Sequence, residues 1–261
     1  LAATLVVAVV AGVLAAVVIG RQPSVPAVGA PLSWHSCDGQ FLCAEMGVPI
    51  SYGHPDQGTL GIALVELPAT GSATADLVTN PGGPGVSGIQ DLEEAASMYP
   101  ASLRRHVNIV SFDPRGIGAS DPVHCLSAQQ IRAWLGYDPD PLTPAAISAD
   151  VAQSKQFVDD CLSNNSRLLL ANLGTDTVAR DLDQLRAELH QPRLDYLGFS
   201  YGTYLGERYA ERFPHRVGHF VLDGVVDPDL SDFQAGAQQA IGFEDNLTAF
   251  SSWCAGNAAC R

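Results

Sequence analysis

Basic residues are scarce in this chain. Fourteen Lys and Arg stand against 28 Asp and Glu in 261 residues, a formal net charge of -14. All but one of the cations are Arg, the exception being Lys155. Phosphate-rich partners need a basic surface, so nucleic acid is excluded as a partner. Metal-ligand spacing is lacking as well. The six Cys form no CxxC pair, no His stands at zinc spacing from them, and no metal is expected. The phosphate-loop signature GxxxxGK[ST] is missing, as a single Lys outside any such string dictates. Low hydrophobicity, the mark of a disordered chain, is absent too: 46% of residues are apolar. The length allows one large domain or one and a half, with ample material for a core.

Charge is also missing from the start of the chain. Residues 1–19 carry no polar side chain except Thr4, and the first charge is Arg21. About 18 apolar residues suffice to span a bilayer as a helix, whereas the apolar part of a cleaved signal is usually about 7–15. Residues 1–20 therefore read as a signal or membrane-anchor segment able to contact a membrane, and the Pro-, Gly- and Ala-rich stretch 21–33 as a linker. The chain opens on Leu, without the basic residues that precede such a segment, so the natural N-terminus is expected upstream. An even number of Cys suits an oxidising compartment. Six Cys allow fifteen pairings; proximity in sequence suggests Cys37–Cys43, Cys125–Cys161 and Cys254–Cys260. Together these features predict an exported protein, extracellular or anchored on the outer face of the cytoplasmic membrane.

What the chain does have is alternation. Apolar, β-favouring runs at 60–67, 75–79, 107–112, 194–199 and 217–222 read as strands. Residues 88–99, 175–190 and 201–213 carry helical spacing, with Thr175 as the cap of the second. The stretch 125–172 reads as irregular and helical by turns. Nearly all-apolar strands between helices imply a mostly parallel sheet covered on both faces.

Two strand-to-helix turns carry the chemistry. Gly198-Phe199-Ser200-Tyr201-Gly202 follows a strand and opens a helix, the context of a nucleophile elbow. The turn is so tight that positions 198 and 202 must lack bulk, and both are Gly. It lifts the Ser200 hydroxyl above the sheet at the positive end of the next helix. As a bare string GxSxG is weak; the strand and helix around it give it meaning. The second turn is Asn80-Pro81-Gly82-Gly83-Pro84-Gly85-Val86-Ser87-Gly88, with four Gly in nine residues. Phosphate cradling is one use of such a loop, but no Lys lies near. The other is an oxyanion hole, in which backbone N–H groups stabilise the alkoxide of a tetrahedral intermediate. One donor would be the residue after the nucleophile, Tyr201, and the other Gly83.

These segments resemble the secreted bacterial tripeptidyl aminopeptidases, within the prolyl-aminopeptidase branch of the α/β-hydrolases. The resemblance rests on the two turns, on Cys43-Ala44 running to Val48-Pro49-Ile50, on Asp113-Pro114-Arg115-Gly116 running to Asp121-Pro122, and on Asp223-Gly224-Val225-Val226-Asp227-Pro228. It extends in order from about residue 34 to 261. It implies an α/β-hydrolase fold, a peptide as substrate, no cofactor, Ser200 as nucleophile, Gly83 and Tyr201 as oxyanion donors, and the three local disulfides. Residues 34–228 would be the N-terminal part of the hydrolase core and 229–261 the start of an inserted lid. Arg115 and Asp113 are expected to pair and brace the oxyanion loop, and Glu207 to be a bracing residue that could also reach a substrate amine.

Ser200 needs a base, and this fold orders its triad Ser, then Asp or Glu, then His. After Ser200 the only His are His215 and His219, both expected at the opposite edge of the sheet. The acid and the base are therefore expected beyond Arg261, and the sheet to be incomplete at the C-terminus. The expected function is a serine exopeptidase that removes short peptides through an acyl-enzyme, inactive as an isolated piece. An esterase or amidase of the same fold, or a non-catalytic hydrolase-fold protein, are the rival readings.

Overall fold

The computed structural model describes residues 25–136 and 143–260. The apolar segment 1–19 lies outside the described residues, and among those described no helix is long and apolar enough to cross a membrane. Seven strands form one sheet: β1 (His35–Ser36), β2 (Leu42–Pro49), β3 (Thr59–Leu67), β4 (Ala75–Asn80), β5 (Val107–Phe112), β6 (Leu194–Phe199) and β7 (Val217–Asp223). Their order is β1-β2-β3-β5-β4-β6-β7. The β1 to β5 side pairs antiparallel, while β5, β4, β6 and β7 run parallel. Ser200 and the Gly-rich loop both emerge from the parallel half, at the C-terminal ends of β6 and β4.

The helices are α1 (Gly88–Ala95), α2 (Ala101–Arg104), α3 (Ala128–Leu135), α4 (Pro144–Asn164), α5 (Arg167–Leu170), α6 (Thr175–Glu188), α7 (Tyr201–Arg212) and α8 (Asp232–Ala255). On one face, Val178, Leu182 and Leu185 of α6 and Leu205 and Tyr209 of α7 pack against Met46, Ile62, Leu64, Val78, Val110 and Tyr196 of the sheet. On the other, Leu92 of α1 and Ala96 pack against Val65, Leu67 and Ile109. Val65 and Ile109 oppose Leu64 and Val110 because successive strand residues face opposite sides. Each fully buried Val, Leu or Ile contributes about 1.5–3 kcal/mol, which is why Val78, Ile109, Val110 and Leu194 fill the central strands.

The structure refines several expectations. Strand β2 has no counterpart in the apolar runs; the antiparallel pairings of β1, β2, β3 and β5 make the sheet mixed. The region after Cys125 contains a 21-residue helix, α4, started by Thr143, whose hydroxyl accepts from Ala146 N–H. Helix α6 has Gly174 at its N-cap with no side-chain cap; the Thr175 hydroxyl is bonded to the Tyr201 hydroxyl at 2.7 Å instead. Cys37–Cys43, Cys125–Cys161 and Cys254–Cys260 are joined, leaving no free Cys among the described residues. Cys125–Cys161 ties the segment before α3 to the end of α4.

Candidate active site

Ser200 occupies the single residue between β6 and α7. Its backbone is at φ 51° and ψ -122°, a left-handed position that side chains other than Gly rarely take. Such a residue costs about 1–3 kcal/mol and persists only where its surroundings over-determine it. The surroundings are visible. Ser200 N–H donates to the Asp223 carbonyl at the end of β7, at 2.9 Å. The Ser200 carbonyl accepts from Thr203 N–H at 2.8 Å and from the Thr203 hydroxyl at 2.6 Å. Tyr196, fully buried, donates its hydroxyl to the Gly202 carbonyl at 2.8 Å. Burial pushes the Tyr196 phenol well up, so it remains a donor. The two elbow glycines meet a spatial demand: a Cβ on Gly198 would lie 2.5 Å from the Gly202 carbonyl oxygen, and one on Gly202 2.5 Å from that of Asn80.

The Asn80–Gly88 loop presses on the elbow from β4. A Cβ on Gly82 would sit 2.4 Å from the Phe199 carbonyl oxygen and 2.9 Å from Tyr201 N, so only Gly leaves that amide open. Gly82, Gly83 and Gly85 have φ of 92°, 106° and 101°, and the Gly83–Pro84 bond is cis. Asn80, buried beneath, accepts the Gly82 N–H on Oδ1 at 3.0 Å. Gly83, Pro84, Ser200 and Tyr201 line one cleft of about 510 Å³, closed on its far side by Gly224–Asp227, Leu230 and the first two turns of α8. The sequence-derived nucleophile and both candidate oxyanion donors thus share a cleft. Burial raises the Tyr201 phenol as well, against the hydrogen bond from Thr175.

Gly83, Gly85 and Gly88 also spell GxGxxG at a strand-to-helix turn, the form of a dinucleotide loop, and the pattern alone does not reject that use. The packing favours the other use. The loop is seated on the Ser200 turn, and Asp113, the acid that ends the neighbouring strand, is fully engaged by protein donors.

Those donors differ from expectation. Arg115 does not pair with Asp113. It forms a two-pronged ion pair with Asp181 of α6, at 2.7 Å from Nε and 2.6 Å from Nη2, and it also donates to the carbonyls of Pro49, Ile50 and Asn172. Both side chains are buried, and the Tyr52 hydroxyl donates to the same carboxylate. Asp113 instead accepts the Ser87 hydroxyl at 2.6 Å, the Ile89 N–H and the Ala119 N–H. A fork 66 residues apart in sequence leaves no trace in local spacing, whereas Ser87-x-x-Gln90 before an apolar helix was a readable capping signal.

Glu207 faces a neighbouring cleft with Arg208, Glu211, Asp227 and Asp229. Its Oε2 is buried with no hydrogen-bond partner, and burial and the Asp227 charge raise its carboxyl. No His lines the Ser200 cleft among the described residues. His219 is hydrogen-bonded to Asp195 near the start of β6, and His215 lies in the turn that precedes β7. Both sit at the far edge from Ser200, as expected. Phe250 and Trp253 are exposed on α8 and packed against each other.

Known proteins bear on this arrangement. Residues 77–261 match the alpha/beta hydrolase fold. The chain is 37% identical over 245 residues to the serine protease Hip1 of Mycobacterium tuberculosis, covering 90% of this chain and 47% of that protein. It is 35% identical over 259 residues to carboxylesterase B of the same organism, covering 92% and 48%. It is 32% identical over 246 residues to the tripeptidyl aminopeptidase of Streptomyces lividans, covering 89% and 46%. The chain thus spans about half the length of the curated relatives it matches.

Proposed function

The chain belongs to the α/β-hydrolase fold family, and on that premise we propose that it carries the nucleophile and oxyanion hole of a serine hydrolase acting on peptides. The observation behind this reading is the meeting of Ser200, held in a strained turn, with Gly83 and Tyr201 in one cleft. Ser200 Oγ attacks the carbonyl carbon of the scissile bond and passes its proton to a general base. The carbonyl oxygen becomes an alkoxide and takes N–H donors from Gly83 and Tyr201. Collapse of the intermediate expels the amine, protonated by the same base, and leaves an ester on Ser200. Water then repeats the sequence and frees the acid. We place the base and its carboxylate partner in sequence following Arg261, since the fold orders them after the nucleophile.

The finer reading is an exopeptidase that releases short peptides from free N-termini. It is supported by similarity to a tripeptidyl aminopeptidase and a serine protease. Residues 229–261 are read as the start of a lid, because Ala235, Gly236, Gln238 and Gln239 of α8 roof the Ser200 cleft. Three disulfides fit an exported protein, and residues 1–20 are read as its signal or anchor. The named similarity to a carboxylesterase favours ester hydrolysis as a second reading.

The test is a fluorophosphonate probe on the full-length protein. Labelling lost in Ser200→Ala is expected; no labelling, or labelling that survives Ser200→Ala, sinks the serine-hydrolase reading. A panel of peptides with free and blocked N-termini, beside matched esters, separates the two substrate classes. Faster turnover of the free-amine peptides is expected.

A further inference from the structure

The oxyanion loop must hold its N–H donors still, yet Gly82, Gly83 and Gly85 make it intrinsically soft. It is fixed at its two ends. At the first, Asn80 takes the Gly82 N–H. At the second, Ser87 caps α1, accepting Gln90 N–H at 3.1 Å and donating its hydroxyl to Asp113 Oδ1 at 2.6 Å. The acceptor is a buried carboxylate, 2% exposed, so the bond is of the short, charge-assisted kind. Oδ1 also takes the Ile89 N–H at 3.3 Å in the first turn of α1, where a negative charge is favoured. Oδ2 takes the Ala119 N–H at 2.8 Å, and Gly118 packs so closely on it that a Cβ there would lie 2.0 Å away. The Asp113 main chain is pinned in turn. Its carbonyl accepts the Ser120 hydroxyl at 2.7 Å, and its N–H donates to the Ala63 carbonyl at 3.1 Å on β3.

We infer that Asp113 is a positioning residue for the oxyanion hole, acting through Ser87 to set the place of Gly83. Asp113 touches no part of the Ser200 cleft; its effect passes through one hydroxyl to the far end of the loop. The inference rests on the acyl-transfer reading of Ser200. The loop anchor should therefore matter more to the transition state, where the oxyanion forms, than to the bound substrate.

The experiment uses full-length protein with Ser87→Ala, Ser87→Thr and Asp113→Asn, each normalised by active-site titration with a fluorophosphonate, and Ser200→Ala as the control that should not label. Normalisation removes any loss that is merely misfolding. Ser87→Ala is expected to lower kcat about tenfold or more with KM within about threefold, on the scale of a donor slightly misplaced. Ser87→Thr keeps the hydroxyl and should recover most of the loss. A peptide boronic acid, whose tetrahedral anion mimics the intermediate, should weaken in step with kcat/KM across the series. An uncleaved product peptide should bind as before. If Ser87→Ala retains its kcat per titrated site, or if the loss appears only in KM or in melting temperature, Asp113 is a structural residue alone and the inference is overturned. If Ser200→Ala still labels, the acyl-transfer reading itself fails, which is a different outcome.

Discussion

Thr203 donates its hydroxyl to the Ser200 carbonyl at 2.6 Å, and Thr203 Oγ1 accepts the Val226 N–H at 3.0 Å. One fully buried side chain therefore joins the Ser200 turn to the Gly224–Asp227 segment that forms the opposite wall of the cleft. Ser200 N–H, bonded to the Asp223 carbonyl, makes a second link, to the end of β7 just before that segment. The strained Ser200 backbone is held from β7 as well as from its own helix.

Thr203→Val tests this staple. The change keeps the shape and removes the hydroxyl, leaving the Val226 N–H without its partner. Loss of such a buried bond costs about 1–3 kcal/mol. The expected result is an unfolding free energy lower by that amount and slower fluorophosphonate labelling of Ser200. Thr203→Ser should show neither effect beyond the loss of a methyl group.

Gly82→Ala tests the contact between the two turns. The added Cβ would meet the Phe199 carbonyl oxygen at 2.4 Å and Tyr201 N at 2.9 Å, at a φ of 92° that Ala does not favour. Backbone atoms cannot yield cheaply, so the loop must lift off the elbow. Displacement of an oxyanion donor by about 1 Å is enough to lower the labelling rate about 100-fold. Labelling within tenfold of the parent protein would show that the loop does not bear on the elbow as described.

Arg115 and Asp181 supply the third test. Both are buried, so removing one partner strands a charge and costs about 3–5 kcal/mol. Arg115→Met and Asp181→Leu should each lower the unfolding free energy by about that much, while the double variant should recover much of the loss because no charge is left unpaired. Tyr52→Phe, which removes a single hydrogen bond to the same carboxylate, should cost less, on the order of 1 kcal/mol. Chemical denaturation read by fluorescence decides all four.

The sequence made the parallel half of this fold and β3 legible but hid β1 and β2, for a physical reason. Strands β5 and β6 lie inside the sheet, and their apolar residues outnumber Asn108, Ser111 and Asp195, so they read as β-favouring runs. Strand β2 contains Glu45, Gly47 and Pro49, which break any apolar run, yet it pairs with β3 over eight residues. The stretch 125–172 reads as helical only by turns, and the length of α4 escaped notice, because Ile147, Val151, Phe157 and Leu162 are exposed and no apolar face is buried. At the site, the Ser200 and Gly83 turns could be read because tight turns force Gly into fixed positions. The partners of Arg115 and Asp113 could not, because a carboxylate is assigned to a cation by tertiary packing, and Asp181 lies on a helix whose approach no local pattern encodes. Thr175 was misread for the same reason: its hydroxyl found Tyr201 on another helix rather than its own backbone.

Glu207 makes a prediction about pH. Its Oε2 is buried without a partner, and burial together with the nearby Asp227 charge raises its carboxyl above the ordinary 4.5. The folded protein thus holds this proton more tightly than the unfolded chain does. Stability contributed by the neutral form is fully present below pH 4.5 and is lost as pH climbs through the raised folded value. Glu207→Gln removes the charge and with it the penalty. The variant should melt with the parent protein at pH 4 and above it at pH 7, with the gap opening between. Asp227→Asn should narrow that gap, since it takes away the second cause of the shift. Thermal melts at a series of pH values give the answer: a Gln variant less stable than the parent at pH 7 would mean that the Glu207 carboxylate has a cationic partner when the protein is in solution.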